Sequence, residues 1–502
     1  MNTKTTLYTT LFLMITLMSG CTGSLMKRAE IYETSEGGHQ LTRLTEFPGM
    51  EVRAAISLLP EEEFQTMTGI GGSFTEASAS LLNRLSPANR SKILEAYFGE
   101  SGARYSLTRT HMNSCDFSLG NYSYAPVEGD TALTHFSVEE DMGDIIPMIK
   151  EAMALSAEGF KIIASPWTAP PWMKDNHDWR GGKLLPPYYP VWALFFSKYL
   201  EAYRQQGIDI WAFTVENEPL GNDSNWESML FTPQEMNDFV KNHLGPRLRS
   251  DGYEVKILGY DQNREEEMVT WVNAMYDDPE AAQFYDGTAF HWYGSTVSYF
   301  PEVLGHAAQK APGKQLIHTE GCIDAQVPRW QDDAWYWAEE ATDWGKDWAP
   351  PEKKHLHPPY VPVFRYARDM IGCFNHGVHG YVDWNMVLDR QGGPNWAKNW
   401  CNAPVIVDPD KDEVYFTPLY YTLAHFSRFI RPGAVRIGWQ NNDSDLMVTA
   451  FRNPDGTIAA LLFNPGRETK GVHLSLGRKS MDFTISGKAL QTVLLQTDHK
   501  RL

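Results

Sequence analysis

Positive charge is scarce in this chain: 44 Lys and Arg stand against 63 Asp and Glu, a formal net charge of -19 over 502 residues. A broad attraction to nucleic acid or to anionic lipid headgroups is thereby disfavoured, because both need a surplus of cations on the protein surface. Cysteine is scarcer still, at five residues, and Cys21, Cys115, Cys322, Cys373 and Cys401 include no C-x-x-C pair. That spacing supports neither a zinc ribbon nor a dense disulfide framework. Gly69 to Gly72 form a glycine-rich run with no Gly-Lys-Ser/Thr after it, so a tight strand exit is the reading and not a phosphate cradle. Beyond the first twenty residues no apolar run is long enough for a membrane helix.

Aromatic residues, in contrast, are plentiful, with 17 Trp, 23 Tyr and 24 Phe. Most such rings are core, but flat apolar faces are also what the C–H faces of a sugar stack on, and a neutral substrate suits the acidic charge. The N-terminus has the form of an export signal: Lys4 gives a positive start, Leu11 to Leu17 is a short apolar run, and Ser19 and Gly20 precede Cys21. Met-Ser-Gly-Cys is similar to the lipobox of bacterial lipoproteins, so Cys21 is the expected lipidation site and the membrane is contacted through that anchor. An exported protein of the periplasm or cell surface follows, with simple secretion as the alternative.

From about residue 66 to 390, short β-like runs alternate with helical stretches: 67–72, 105–112, 161–167, 210–219, 255–261, 287–293, 315–322 and 380–385. Trp192, Phe196, Tyr199 and Tyr203 recur at helical spacing between two of them. Eight βα units without a nucleotide fingerprint predict an α/β fold of the (β/α)8 TIM-barrel type. The segment after residue 415 reads as strands, with a Pro-Asp-Gly turn at 454–456, and 29–57 alternates likewise. The expected organisation is a signal peptide at 1–20, a linker at 21–28, N-terminal strands at 29–57, the barrel at 58–414 and the rest of a β-sandwich at 415–502. The chain then enters and leaves the barrel through one side domain.

In a parallel barrel the C-terminal ends of the strands converge on one mouth. Those ends here carry Glu76, Arg109, His111, Trp167, Asn217, Glu218, Asp261, His291, Tyr293, Glu320, Trp384 and Asn385. Charges and aromatic rings at that density are costly for a merely structural rim. Glu218 ends the fourth strand and Glu320 the seventh, across the barrel from each other. Paired carboxylates flanking one bond are what glycoside hydrolysis requires: one protonates the leaving oxygen and, at a separation of about 5–5.5 Å, the other forms a glycosyl ester.

Several strings carry a family resemblance: Gly71-Gly72-Ser73-Phe74-Thr75-Glu76, Ser114-Cys115-Asp116-Phe117-Ser118, Ser165-Pro166-Trp167-Thr168, Glu216-Asn217-Glu218-Pro219, His291-Trp292-Tyr293, Asp383-Trp384-Asn385 and Gly392-Gly393-Pro394-Asn395-Trp396. In this order they resemble glycoside hydrolase family 30 of clan A, which includes glucosylceramidases and endo-β-1,6-glucanases. The resemblance implies Glu218 as acid/base and Glu320 as nucleophile, Asn217 bonding a sugar hydroxyl and Tyr293 bonding the nucleophile. Glu216, two residues before Glu218, is the rival, and the Asn-Glu-Pro string favours Glu218. Trp167 and Trp384 are similar to sugar-stacking walls, while Glu76, Asp116, His291 and Asn399 fall near the pocket. Five Trp residues between 323 and 360 form a candidate aromatic rim for further sugars. The double displacement calls for no cofactor, and no metal is expected. A β-glucan or other β-glucoside is the expected partner, with β-1,6-glucan preferred and glycolipid glucosides the alternative. A surface glycan-binding lipoprotein without turnover is the reading from another class, and the presence of both glutamates argues against it. Oligomeric state stays open.

Overall fold

The computed structural model describes residues 29–47, 49–221, 225–324, 329–343, 345–347 and 349–496. The signal, the linker and Cys21 therefore lie outside the described residues. The chain opens with β1 (Ala29–Ser35), β2 (Thr42–Leu44) and the long β3 (Val52–Thr66). Seven barrel strands follow: β4 (Gly69–Phe74), β5 (Leu107–Met112), β6 (Lys161–Pro166), β7 (Ala212–Thr214), β8 (Lys256–Asn263), β9 (Gly287–His291) and β10 (Gln315–Glu320). After the short β11 (Ile323–Asp324), the eighth barrel strand is β12 (Gly380–Asp383). Each of the eight predicted runs supplies one strand. They pair in parallel and in chain order until β12 meets β4, which closes the barrel.

Barrel strands are buried on both faces, so they read as continuous runs and not as alternation. All six residues of β4 and of β5 are buried, Arg109 and His111 among them. Leu107, Ile163, Ala212, Leu258, Ala289, Ile317 and Val382 form one apolar layer inside, one side chain from each strand but β4. The remaining strand, β4, contributes glycine where the walls meet: a Cβ on Gly71 would stand 2.1 Å from the Leu107 carbonyl oxygen. The interior is thus filled, and chemistry is confined to the rim. Outside, the helix Tyr189–Gln205 buries Trp192, Phe196, Tyr199 and Tyr203, as their spacing predicts.

The remaining strands are β13 (Val387–Asp389), β14 (Cys401–Asn402), β15 (Val405–Asp408), β16 (Glu413–Phe416), β17 (Val435–Asn441), β18 (Met447–Arg452), β19 (Ile458–Asn464), β20 (Lys470–Leu476), β21 (Lys479–Ile485) and β22 (Ala489–Leu495). Nine strands form the side sheet in the order β2-β1-β22-β19-β18-β17-β3-β20-β21. Ile31 and Val493 from one end of that order share a core with Val472 and Phe483 from the other, so the sheet curls over itself like a sandwich. Its long strand β3 runs to Thr66, past the expected edge at residue 57, because register shifts let one strand pair along its length with both β17 and β20. On the return, the helix Pro418–Ser427 intervenes before the sheet resumes at Val435. His425 on that helix joins the halves, its two ring nitrogens bonding Thr34 and Thr492 at 2.9 and 2.8 Å.

Candidate active site

Arg109 organises the barrel mouth. It sits mid-rim on β5, fully buried, and each arm of its guanidinium meets an acceptor from another strand end. Nη1 donates to Glu320 Oε2 at 2.5 Å, Nη2 to Asp261 Oδ2 at 2.7 Å and Asn217 Oδ1 at 2.8 Å, and Nε to Ser165 Oγ at 2.9 Å. A buried guanidinium without such partners would be strongly destabilising, and with them it fixes four strand ends at once. Asp261 also accepts from Thr319 Oγ1 at 2.5 Å. Burial alone would raise its carboxyl, but Arg109 and His291 hold it well below the usual range.

Glu218 is placed by the backbone. β7 ends at Thr214 and the chain turns, so that Asn217 N–H donates to the Pro166 carbonyl at 2.8 Å and Glu218 N–H to the Asp261 carbonyl at 2.9 Å. Glu218 takes φ +50, a left-handed conformation uncommon for a side chain with a Cβ. Such conformations persist where the surroundings over-determine them, commonly at functional sites. The turn separates the two candidate acids. Glu216 is fully buried, burial pushes its carboxyl well up, and neither of its oxygens has a hydrogen-bond partner among the described residues. Glu218, in contrast, lines a cavity of about 510 Å3 together with Glu320.

His291 bridges the fourth strand's carboxylate to Asp261, with Nδ1 3.1 Å from Glu218 Oε1 and Nε2 3.0 Å from Asp261 Oδ1. Burial would lower its pKa, yet the charges of Glu320 and Asp261 raise it to about 9. With a carboxyl oxygen beside each nitrogen, the protonated ring can donate both ways. An oxygen of Glu218, a nitrogen of His291 and an oxygen of Glu320 lie within 4.8 Å of one another. Glu320 Oε1 accepts from the Tyr293 hydroxyl at 3.1 Å. Burial holds the Glu320 carboxyl above its usual range against the opposing pull of His291 and Arg109.

Of the other candidates, Trp167 and Trp384 line the cavity and stack on each other with ring centroids 5.2 Å apart. Arg109 lies 4.8 Å from the Trp167 ring, which braces that wall from behind. Asp116 and Asn399 also line it, joined by a bond of 3.3 Å from Asn399 Nδ2 to Asp116 Oδ2. Asn217 presents its amide there too, its oxygen being held by Arg109. His291 lies beneath Glu218 and is not part of the cavity wall.

Glu76 departs from expectation. It is the first residue of the helix Glu76–Arg84, capped by Thr75, and its carboxylate turns to accept the Leu119 N–H at 3.1 Å, off the cavity wall. Burial pushes it up to about 7. The Trp-rich segment departs as well. Trp337 is buried against Phe364, Trp330 packs on Tyr415, and Trp335 packs against the core, so none of these three lines the cavity; Trp344 and Trp348 lie outside the described residues. Trp226, which the sequence reading passed over, does line it. So do Cys322 and Asp324, for which the signal was available: Glu320, Cys322 and Asp324 alternate, and alternate residues of an extended chain face one side. The strand-end histidines His111, His291 and His318 do not converge; His111 Nδ1 is tied to the Asn113 carbonyl at 2.7 Å and His318 Nδ1 contacts that of Val382 at 3.2 Å.

A filled eight-stranded barrel with two carboxylates this close at its mouth defines a retaining glycosidase. The chain belongs to glycosyl hydrolase family 30: residues 67–348 and 355–430 match its TIM-barrel domain and residues 433–493 its beta sandwich domain. It is 33% identical to the lysosomal acid glucosylceramidase of Mus musculus over 452 residues, 88% of this chain and 83% of that one. Over 422 residues it is 27% identical to an endo-1,6-beta-D-glucanase of Neurospora crassa, covering 81% of this chain and 80% of the relative. Among solved structures, the endo-beta1,6-glucanase BT3312 is similar at a TM-score of 0.80 and 30% identity, over 94% of this chain and all of that one. SrfJ from Salmonella typhimurium is similar at 0.81 and 30%, with the same coverage.

Proposed function

We propose that the chain hydrolyses β-glucosidic bonds, with Glu218 as acid/base and Glu320 as nucleophile. His291 donates to Oε1 of Glu218, leaving Oε2 to deliver the proton to the glycosidic oxygen. Glu320 attacks the anomeric carbon as the bond to that oxygen breaks, and a glycosyl ester forms. Water, deprotonated by Glu218, then attacks the same carbon and releases Glu320. Arg109 and Tyr293 hold the nucleophile in one orientation, which converts binding into correct alignment.

The preferred substrate is β-1,6-glucan. The observation that carries this reading is the cavity wall: Asp, Asn, Glu, Cys and aromatic side chains line it, and no aliphatic side chain does among the described residues. That surface suits sugar on both sides of the scissile bond better than it suits alkyl chains. The likeness to an endo-beta1,6-glucanase structure supports it, while the higher identity to a glucosylceramidase favours glycolipid as the second reading. Purified protein should cleave β-1,6-glucan faster as the oligosaccharide lengthens, and Trp226→Ala should lower kcat/KM for long chains more than for an aryl glucoside. Release of glucose from glucosylceramide with β-1,6-glucan left intact would reverse the order of the two readings. We further propose that Cys21 carries a lipid anchor. Cys21→Ala should move the protein from the membrane to the soluble fraction, and its retention in the membrane would end that proposal.

A further inference from the structure

Three soft or hard metal donors converge on the cavity wall outside the carboxylate pair. Past the end of β10 the chain continues as Glu320, Gly321, Cys322, Ile323, Asp324, and β11 pairs antiparallel with β14 so that Asp324 faces Cys401. Alternation places Cys322 and Asp324 on one face, and Cys401 joins them from the neighbouring strand. All three line the cavity. Their sulfur and oxygen atoms lie within 4.8 Å of one another, Cys322 Sγ 2.7 Å from Cys401 Sγ and Cys401 Sγ 3.8 Å from Asp324 Oδ1. The two cysteines are 79 residues apart in sequence, which is why spacing alone did not pair them.

Two sulfurs and a carboxylate oxygen placed within 4.8 Å of one another can be joined in two ways. A disulfide would join the two sulfurs and leave Asp324 unchanged, with its buried Oδ2 lacking any hydrogen-bond partner among the described residues. A dication uses all three donors and gives the unpartnered carboxylate a bond to the metal. Two thiolates and a carboxylate suit a thiophilic, borderline-soft ion, and three protein ligands with an open fourth position facing a cavity is a stable Zn2+ arrangement. At the usual Zn–S distance of about 2.3 Å the two sulfurs stand farther apart than in the unbound site, and the cavity both of them line leaves room for that.

We propose that Cys322, Asp324 and Cys401 bind one divalent cation of the Zn2+/Cd2+ class, and that the bound ion inhibits the enzyme. Binding replaces two thiol protons by the metal: M2+ plus two R–SH and one R–COO− gives the singly anionic complex of two thiolates and one carboxylate on the metal, with release of two H+. Inhibition follows from position. The Tyr293 hydroxyl touches both Glu320 Oε1, at 3.1 Å, and Cys322 Sγ, at 3.5 Å. An ion on that sulfur offers its open fourth position to the nearby Glu320 oxygen, withdrawing the nucleophile, and occupies sugar space.

The test titrates the full-length chain, kept reduced, with Cd2+. One equivalent should raise thiolate-to-cadmium charge-transfer absorption, protect Cys322 and Cys401 from alkylation, and inhibit aryl glucoside hydrolysis reversibly with chelator. Cys401→Ala should lose the absorption, and Asp324→Asn should weaken binding by about tenfold or more. Unchanged Cd2+ inhibition in Cys401→Ala would overturn the proposal, placing the ion on Glu218, His291 and Glu320 instead. So would alkylation of Cys322 and Cys401 in the native chain at the same rate with and without Cd2+, a readout that needs no variant to fold.

Discussion

Which glutamate delivers the proton turns on a single backbone residue. By strand alternation Glu216 and Glu218 would share a face, yet the turn after Thr214, with Glu218 at φ +50, buries the first and presents the second. Glu218→Gln should therefore lose about 10²–10⁴-fold in kcat/KM on substrates with poor leaving groups and far less on an activated aryl glucoside, which needs no protonation. Glu216→Gln should lose less than about tenfold on both. Equal losses for the two variants in a side-by-side comparison would contradict the assignment. At this scale the sequence was readable wherever a residue stood in a short string at a strand end, as Glu218, Glu320, Trp167 and Trp384 do. It was unreadable where a helix cap turned a side chain away, as at Glu76, or where a distant segment brought one in, as the loop does with Trp226 and β14 with Cys401.

Among elements, the eight barrel strands were legible because each is a short apolar or glycine-rich run ending in polar residues, with room for a helix before the next. The extent of β3 was not, since its exposed middle, Glu61 to Glu63, looks like a loop in sequence while its register shifts keep it paired. The helix Pro418–Ser427, which holds the sheet to the barrel, contributes a pH limit. His425 is fully buried between two threonine hydroxyls, and burial lowers its pKa to about 3. The unfolded chain binds this proton more readily than the folded one. Stability from this residue is thus complete above its unfolded pKa near 6.5 and is lost as pH falls toward the folded value. The loss between pH 8 and pH 5 should be about 2 kcal/mol. Denaturant unfolding of the parent and of His425→Gln across that range should show the parent falling more steeply by that amount. Parallel curves would mean that His425 does not titrate on unfolding.

For the whole molecule, family 30 membership joins an acidic, aromatic-rich chain to relatives that include a glucosylceramidase and endo-1,6-glucanases. The barrel interior and side sheet supply the scaffold, and the proposed preference for sugar over lipid rests on the cavity wall. Everything proposed for that wall depends on Glu320 being the group that forms the covalent ester. The measurement that reaches this directly is trapping: the intact enzyme is incubated with a 2-deoxy-2-fluoro-β-glucoside bearing a good leaving group, then digested and mapped by mass spectrometry. One glycosyl ester per chain, carried by Glu320, is the result the arrangement around Arg109 and Tyr293 predicts. An ester on Glu216 or Glu218, or turnover with inversion and no ester at all, would contradict it.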